Sequence, residues 1–200
     1  QQIKVLDCTI RDGGLINDHQ FSHEFVRKVY QAVSEAGIDY CELGYRNSDQ
    51  QFSPEQYGPW KFCKEEDLRK VTDGIESTTK VSVMMDIGRA DMESMLPASE
   101  SVIDLVRVAC YVKDVDKAIH MVNELDEKGY ETCINIMAIS RDLGPELDEA
   151  LFQIDKETNV LAVYIVDSFG ALTQESTETL VHRFRHALKR KDVGIHAHNN

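Results

Sequence analysis

The sequence predicts an α/β fold of the (β/α)8 barrel type, and three observations carry the prediction. Seven short runs rich in β-branched and apolar residues are separated by longer stretches, several of them with helical periodicity. A strand that returns parallel to its predecessor needs a crossover of a dozen or more residues, so this alternation implies a parallel sheet. The first run starts at residue 3 and the seventh at 193, about 32 residues per unit, and so even a rhythm suits a ring of repeated units better than a sheet with a topological switch.

The predicted strands are Ile3–Ile10, Ile38–Tyr45, Lys80–Ile87, Val102–Tyr111, Glu131–Ser140, Val160–Asp167 and Val193–His198. Phe21-Ser22 leads into a helical face of Phe25, Val26, Val29, Tyr30 and Val33 that Gly37 stops. Ser48 to Pro59, with two prolines, a glycine and several polar residues, reads as a long loop after the second strand. Lys64-Glu65-Glu66-Asp67 reads as a solvated first helical turn, Met84-Met85 as strand filling, and Met92, Met95 and Leu96 as a helix face against the sheet. Asp114 opens a helix through Val115, Ala118, Ile119, Val122 and Leu125, which ends at Lys128-Gly129. Thr173 opens the last one, through Leu180, Phe184 and Leu188 to a basic Lys189-Arg190-Lys191 end matched to the helix dipole. One catalytic domain spanning 1–200 is expected, with the eighth strand lying beyond Asn200 because such barrels run to roughly 250 residues.

Composition narrows the function classes. With 42% hydrophobic and 28% charged residues the chain is globular rather than disordered. Twenty-two basic against 35 acidic residues give a net charge of −13, which disfavours nucleic acid and an anionic membrane surface as partners. No apolar run approaches the ~20 residues of a bilayer span, and the opening Gln1-Gln2-Ile3-Lys4-Val5 lacks a signal-peptide layout, so a cytoplasmic chain is expected. The five cysteines show no C-x-x-C pair, and Cys8, Cys41, Cys110 and Cys133 lie in apolar runs, which reads as reduced core thiols.

The informative residues are polar ones that interrupt strands at their C-terminal ends. The first strand runs into Arg11-Asp12-Gly13-Gly14, placing a cation and a carboxylate at a barrel mouth; a surface turn with a local ion pair is the plainer alternative. Glu42 interrupts the second strand, and a buried acid needs a partner, for which Arg11 is the neighbouring candidate. The last strand reads Gly194-Ile195-His196-Ala197-His198-Asn199-Asn200. Side chains alternate along a strand, so His196 and His198 point the same way and could grip one ion. In a closed barrel only one strand separates the seventh from the first, so Asp12 and the two histidines are expected on one rim as a two-imidazole, one-carboxylate divalent-ion site. Arg11 and Asp12, being sequential, can both reach it only if the strand ends there. Asp86 and Asn135 are further strand residues that could line the pocket or be hydrogen-bonded core positions.

The run Asp7-Cys8-Thr9-Ile10-Arg11-Asp12-Gly13, Glu42, Val166-Asp167-Ser168-Phe169-Gly170 and His196-Ala197-His198-Asn199-Asn200 together resemble the DRE-TIM metallolyases (HMGL-like). Val106-Arg107-Val108-Ala109, the D-S-x-G form and the spacing to His19-Gln20 are most similar to the 4-hydroxy-2-oxovalerate aldolase branch. The resemblance implies that Asp12, His196 and His198 hold a divalent ion, Mn or Mg. It implies that Arg11 steadies an enolate oxygen, that Glu42 orients Arg11, and that Arg107, Tyr111, Asp167 and Ser168 join Arg11 around the substrate. The implied reaction is cleavage of a 4-hydroxy-2-oxo acid to pyruvate, or a similar 2-oxo acid, and an aldehyde. The ion would chelate the keto and carboxylate oxygens while Arg11 lowers the energy of the charge that appears as the C–C bond breaks. A homo-oligomer, or a dehydrogenase partner engaged through the part beyond Asn200, is the partner expectation.

One position departs from the branch, in which a catalytic histidine stands three residues after the metal-binding aspartate; here it is Leu15, which can move no proton. The base then falls to His19, Tyr111 or a group beyond Asn200, and His19 reads alternatively as a surface residue at a helix start. Two other readings stay open: a Claisen-type acyltransferase of the isopropylmalate synthase kind, whose usual Glu-Gln after R-D-G is Gly14-Leu15 here, and an idle barrel serving as a binding module.

Overall fold

A computed structural model describes residues 3–198. Strand and helix alternate along the chain. The strands are β1 (Leu6–Asp7), β2 (Tyr40–Tyr45), β3 (Lys80–Asp86), β4 (Leu105–Cys110), β5 (Glu131–Ile136), β6 (Ala162–Asp167) and β7 (Asp192–Ala197). The helices are α1 (Thr9–Gly13), α2 (His23–Glu35), α3 (Glu65–Thr72), α4 (Val115–Glu127), α5 (Pro145–Glu157) and α6 (Gln174–Ala187), joined by short 3-10 turns. Strand order follows chain order, from β1 to β7. This is the arrangement of a (β/α)8 barrel through its seventh strand, as the even spacing predicts.

Residues group into two compact units, Gln1–Val106 and Arg107–Asn200, with the division inside β4. In the first unit β1 pairs with β2 and β2 with β3, all parallel. The Asp104 carboxylate accepts from Val81 N at 2.8 Å and Val81 O accepts from Asp104 N at 2.9 Å, fixing the entry to β4 beside β3. In the second unit β5 pairs with β6 and β6 with β7, again parallel, and Met137 N donates to Cys110 O at the exit of β4.

Local chemistry explains the boundaries. Ser22 Oγ accepts from Phe25 N at 3.2 Å, capping α2, whose buried stripe includes Val26 and Tyr30; Gly37, at φ +71°, ends the turn beyond it. Thr173 and Ser176 form a reciprocal capping box on α6. The acidic residues Glu65, Glu66 and Asp67 occupy the first turn of α3, where the helix dipole favours them.

Three sequence expectations need correction. The first strand is two residues long, not eight, because Asp7 accepts from Thr9 N (3.0 Å) and Thr9 Oγ1 (2.9 Å) and so turns the chain into α1. Met92, Met95 and Leu96 lie outside any helix, although Met95 is buried. Their segment is held by side chain–backbone bonds instead: Arg46 donates to Ser94 O at 3.0 Å, and Ser94 N donates to Asp91. Lys189-Arg190-Lys191 follows the end of α6 at Ala187 rather than closing it, because Asp155 captures the backbone N–H groups of Lys189 and Arg190.

None of the five cysteines is in a disulfide; Cys41, Cys110 and Cys133 are buried as expected, Cys63 is also buried, and Cys8 is half-buried. Burial raises the Cys41 and Cys63 thiols and pushes Cys110 up to about 12, which keeps them inert. Among the described residues no helix is long and apolar enough to cross a membrane.

Candidate active site

In the first unit the turn into α1 solves the parity problem of Arg11 and Asp12. In a helical turn neighbours are about 100° apart, so adjacent residues can serve one site, and Arg11 pairs directly with Asp12 through Nη1. The same guanidinium donates from Nε to Glu42 Oε1 at 2.8 Å. Glu42 is fully buried, and Cys8 Sγ (3.7 Å) and Ser82 Oγ (3.4 Å) also approach its carboxylate. Burial opposes the Arg11 charge, yet Glu42, Tyr45 and Asp12 outweigh it and hold the guanidinium more firmly protonated than a free arginine. The pairing of Arg11 with Glu42 anticipated from sequence is therefore present.

A bulge in β2 brings a third side chain to this group. Glu42 pairs with Ser82 but Tyr45 with Met84, so three steps on β2 match two on β3. Strict alternation would set Glu42 and Tyr45 on opposite faces; the extra residue puts both beside Arg11, whose Cζ lies 5.8 Å from the Tyr45 ring centroid. Burial pushes the Tyr45 hydroxyl up to about 12.

His19 also meets Tyr45, edge to face, with ring centroids 5.4 Å apart. It is 1% exposed, which corrects the surface alternative. Asp18 and His19 both have positive φ, and the tuck depends on two glycines: a Cβ on Gly14 would stand 2.1 Å from His19 Nδ1, and one on Gly58 2.1 Å from His19 O. Nδ1 is buried without a hydrogen-bond partner. Burial, then Lys61 and Arg11, lowers the imidazole pKa to about 4. Leu15 is 61% exposed, away from this cluster's buried interior.

Sequence reasoning missed Tyr45 and Lys61. Lys61 sits in the 3-10 turn Pro59–Lys61, 9% exposed, its ammonium facing three aromatic rings. The signal available was a lone cation inside the aromatic run Gly58-Pro59-Trp60-Lys61-Phe62. Asp86, at the end of β3, has its carboxyl pKa raised by burial and lies 3.8 Å from Arg89.

In the second unit the rings of His196 and His198 lie 4.9 Å apart, as alternation on one strand predicts. Asn199 and Asn200 fall outside the described residues. His198 Nδ1 is 2.8 Å from Asp167 O. A carbonyl oxygen only accepts, so Nδ1 donates this bond, and Nε2 is the nitrogen through which the ring would bind a metal. Two imidazoles so placed fit a divalent ion.

The Asp167 carboxylate accepts from Ala171 N (3.0 Å) and Leu172 N (2.9 Å), and Ser168 Oγ from Ala138 N (2.9 Å). These two residues hold the backbone after β6 and β5. Arg107 is fully buried with Cζ 4.4 Å from the Tyr164 ring centroid, and Tyr164 fits because Gly194 leaves room: a Cβ there would stand 2.6 Å from the ring. Tyr111, just past β4, is 45% exposed, and Asn135 on β5 is buried.

A family model described as HMGL-like matches residues 2–200. The chain belongs to that family. It is 30% identical over 196 residues to a 4-hydroxy-2-oxovalerate aldolase of Thermus thermophilus, covering 98% of this chain and 56% of the relative, and 28% identical to the Bacillus cereus aldolase of the same name over 199 residues, 99% and 57%. The chain therefore spans little more than half the length of these relatives. Among solved structures, the N-terminal domain of a proposed aldolase from Bacteroides vulgatus superposes with a TM-score of 0.77 at 28% identity, covering 99% of this chain and 65% of that one. The carboxyl transferase domain of Rhizobium etli pyruvate carboxylase gives 0.73 at 13% identity, over 99% of this chain and 36% of that one, and shows the fold alone.

Proposed function

We propose that this chain carries the catalytic machinery of a divalent-metal-dependent aldolase that cleaves a 4-hydroxy-2-oxo acid to pyruvate, or a similar 2-oxo acid, and an aldehyde. The observation that carries the reading is the buried Arg11 guanidinium, held between Glu42 and Asp12 immediately after β1. A cation fixed in place by two carboxylates costs no reorganisation when negative charge grows on a substrate oxygen, and this is where a preorganised donor accelerates a reaction. Membership of the HMGL-like family and the names of the relatives support the same chemistry.

Asp12, His196 and His198 would hold the ion, Mn or Mg, which when bound supplies a Lewis acid for the 2-oxo acid end of the substrate. Glu42 orients Arg11. His19 is the proton acceptor in this reading: its imidazole is neutral across the physiological range, and an anionic substrate beside it raises its basicity toward the working pH. Arg107, Tyr111, Asp167 and Ser168 are substrate-side residues in this reading, the last two by shaping backbone. A cytoplasmic setting suits five cysteines without a disulfide. Assembly with a second copy or a dehydrogenase is part of the same proposal.

The test is solvent-deuterium exchange into the methyl group of pyruvate by the full-length, metal-loaded protein, which reports enolate formation without knowledge of the aldehyde. Exchange is expected, with Arg11→Lys slowing it about 10²-fold because lysine lacks the planar fork that serves both Glu42 and the substrate oxygen. His19→Ala should slow it by roughly 10²–10⁴-fold, the usual worth of a general base. Metal content should fall ten-fold or more in a His196→Ala, His198→Ala double variant. Absence of exchange with pyruvate and other short 2-oxo acids overturns the reading.

A further inference from the structure

The Lys61 ammonium lies 4.4 Å from the Phe52 ring centroid, 5.1 Å from that of Tyr45 and 5.1 Å from that of Tyr57. The first and last of these rings belong to the loop between β2 and α3, and Tyr45 is the residue that the β2 bulge turns toward Arg11. Aromatic faces stabilise a cation but accept little from its N–H groups. Among the described residues Lys61 makes no side-chain hydrogen bond and no ion pair, although it is 91% hidden from solvent. The carboxylates that influence it, Asp86 and Asp18, stand beyond ion-pair distance, and Arg89 opposes them. Arg46, next to Tyr45 in the chain, is already committed to Cys63 O (2.7 Å) and to Ser94.

The position is built rather than incidental. A Cβ on Gly44 would stand 2.0 Å from Trp60 O, so the turn carrying Lys61 lies directly on the bulged end of β2. Trp60 Nε1 donates to Phe21 O at 2.9 Å, Gly58 N to Asp18 O at 2.9 Å, and Asn47 N to Lys61 O at 3.3 Å. These bonds pin the turn on both sides. An ammonium walled by aromatic rings, with three donors and no protein acceptor, is poorly solvated, and an oxyanion placed among those donors satisfies it.

We infer that Lys61, framed by Tyr45, Phe52 and Tyr57, binds a second anionic group of the substrate, a carboxylate or phosphate at the end of the carbon chain opposite its 2-oxo acid. The inference rests on the proposed enolate chemistry for the first end. One ring relates the two: Arg11 Cζ is 5.8 Å and Lys61 Nζ 5.1 Å from the centroid of Tyr45. Two cations that share one ring lie no more than about 11 Å apart, within the span of a short-chain acid that reaches Arg11 with its 2-oxo end and Lys61 with its tail. The 2-oxo acids favoured by this protein are then doubly anionic, unlike 4-hydroxy-2-oxovalerate, whose tail is an uncharged methyl.

Calorimetric titration of the full-length, metal-loaded protein tests this with three acids: 2-oxopentanoate with an uncharged tail, 2-oxoglutarate with a carboxylate, and 3-phosphohydroxypyruvate with a phosphate. One of the charged acids should bind at least ten-fold tighter than 2-oxopentanoate, and which one identifies the anion. Lys61→Met should abolish that preference while leaving 2-oxopentanoate within two-fold, and Lys61→Arg should keep the preference. Equal affinity for all three in the parent, or equal weakening of all three in Lys61→Met, overturns the inference. Glutarate and glycerol 3-phosphate, which lack the keto group, separate the two readings. If either binds the parent and not Lys61→Met while pyruvate undergoes no exchange, the anion site stands and the enolate reading fails. If pyruvate exchanges and no charged probe prefers the parent, the anion site fails alone.

Discussion

The two strands that carry the clearest polar signals carry them in different chemical forms. β2 buries a carboxylate, Glu42, within a wholly buried strand, whereas the polar side chains at the end of β7 are the imidazoles of His196 and His198. Glu42 is wired to Arg11 and flanked by β1 and β3. His196 stands on β7, whose described ladder is with β6, and His198 follows its last residue. The lesson is that charge in the first unit is bound up with stability, because a buried ion that loses its partner is left uncompensated, whereas removing an imidazole strands no opposite charge.

The largest effect should come from breaking the buried pair. Glu42→Leu removes the buried carboxylate that neutralises Arg11 and is expected to cost about 3 kcal/mol in urea unfolding, against less than about 1 kcal/mol for His196→Ala. Similar costs at the two positions would erase the contrast. A smaller effect tests the packing around His19. Gly14 has ordinary helical angles (φ −60°), so Gly14→Ala brings no backbone strain, only a Cβ 2.1 Å from the imidazole. A loss of about 1–3 kcal/mol is expected, with a displaced His19 signal in NMR spectra; an unchanged signal and stability would show that the imidazole has room to move.

The smallest effect is in pH. Because burial holds His19 to about 4 in the folded chain against 6.5 when unfolded, the unfolded state takes up the proton first as pH falls. The stability contributed by keeping this ring neutral is complete above pH 6.5 and declines from there toward pH 4. Between pH 7.5 and 5.5 the parent should lose about 1 kcal/mol more than His19→Gln does. Parallel pH profiles would place the ring in contact with water.

The barrel class was readable because hydrophobic period and turn chemistry are local. The Ser22 and Thr173 caps, the Gly37 stop and six of the seven strands fall where sequence places them, within two to four residues at most boundaries. Alternation allowed the neighbouring imidazoles of His196 and His198 to be anticipated, and the cost of a buried acid the Arg11–Glu42 pair. Asp7 ends β1 early by a local bond to Thr9 two residues on, a turn signal that the longer strand reading passes over, so that Arg11 and Asp12 serve one site. Two things were decided only by tertiary structure. The β2 bulge, which exists only relative to the register of β3, turns Tyr45 onto the face of Glu42. Glycines at 44 and 58 admit neighbours distant in sequence, which, with Gly14 beside the His19 ring, is how His19 becomes buried and Lys61 reaches its aromatic rings. The sequence determines which residues are polar and where the chain turns, because those depend on neighbours a few residues away. Which polar residues share a surface, and how far each is removed from water, depends on backbones packed across tens of residues, and so only the folded chain decides it.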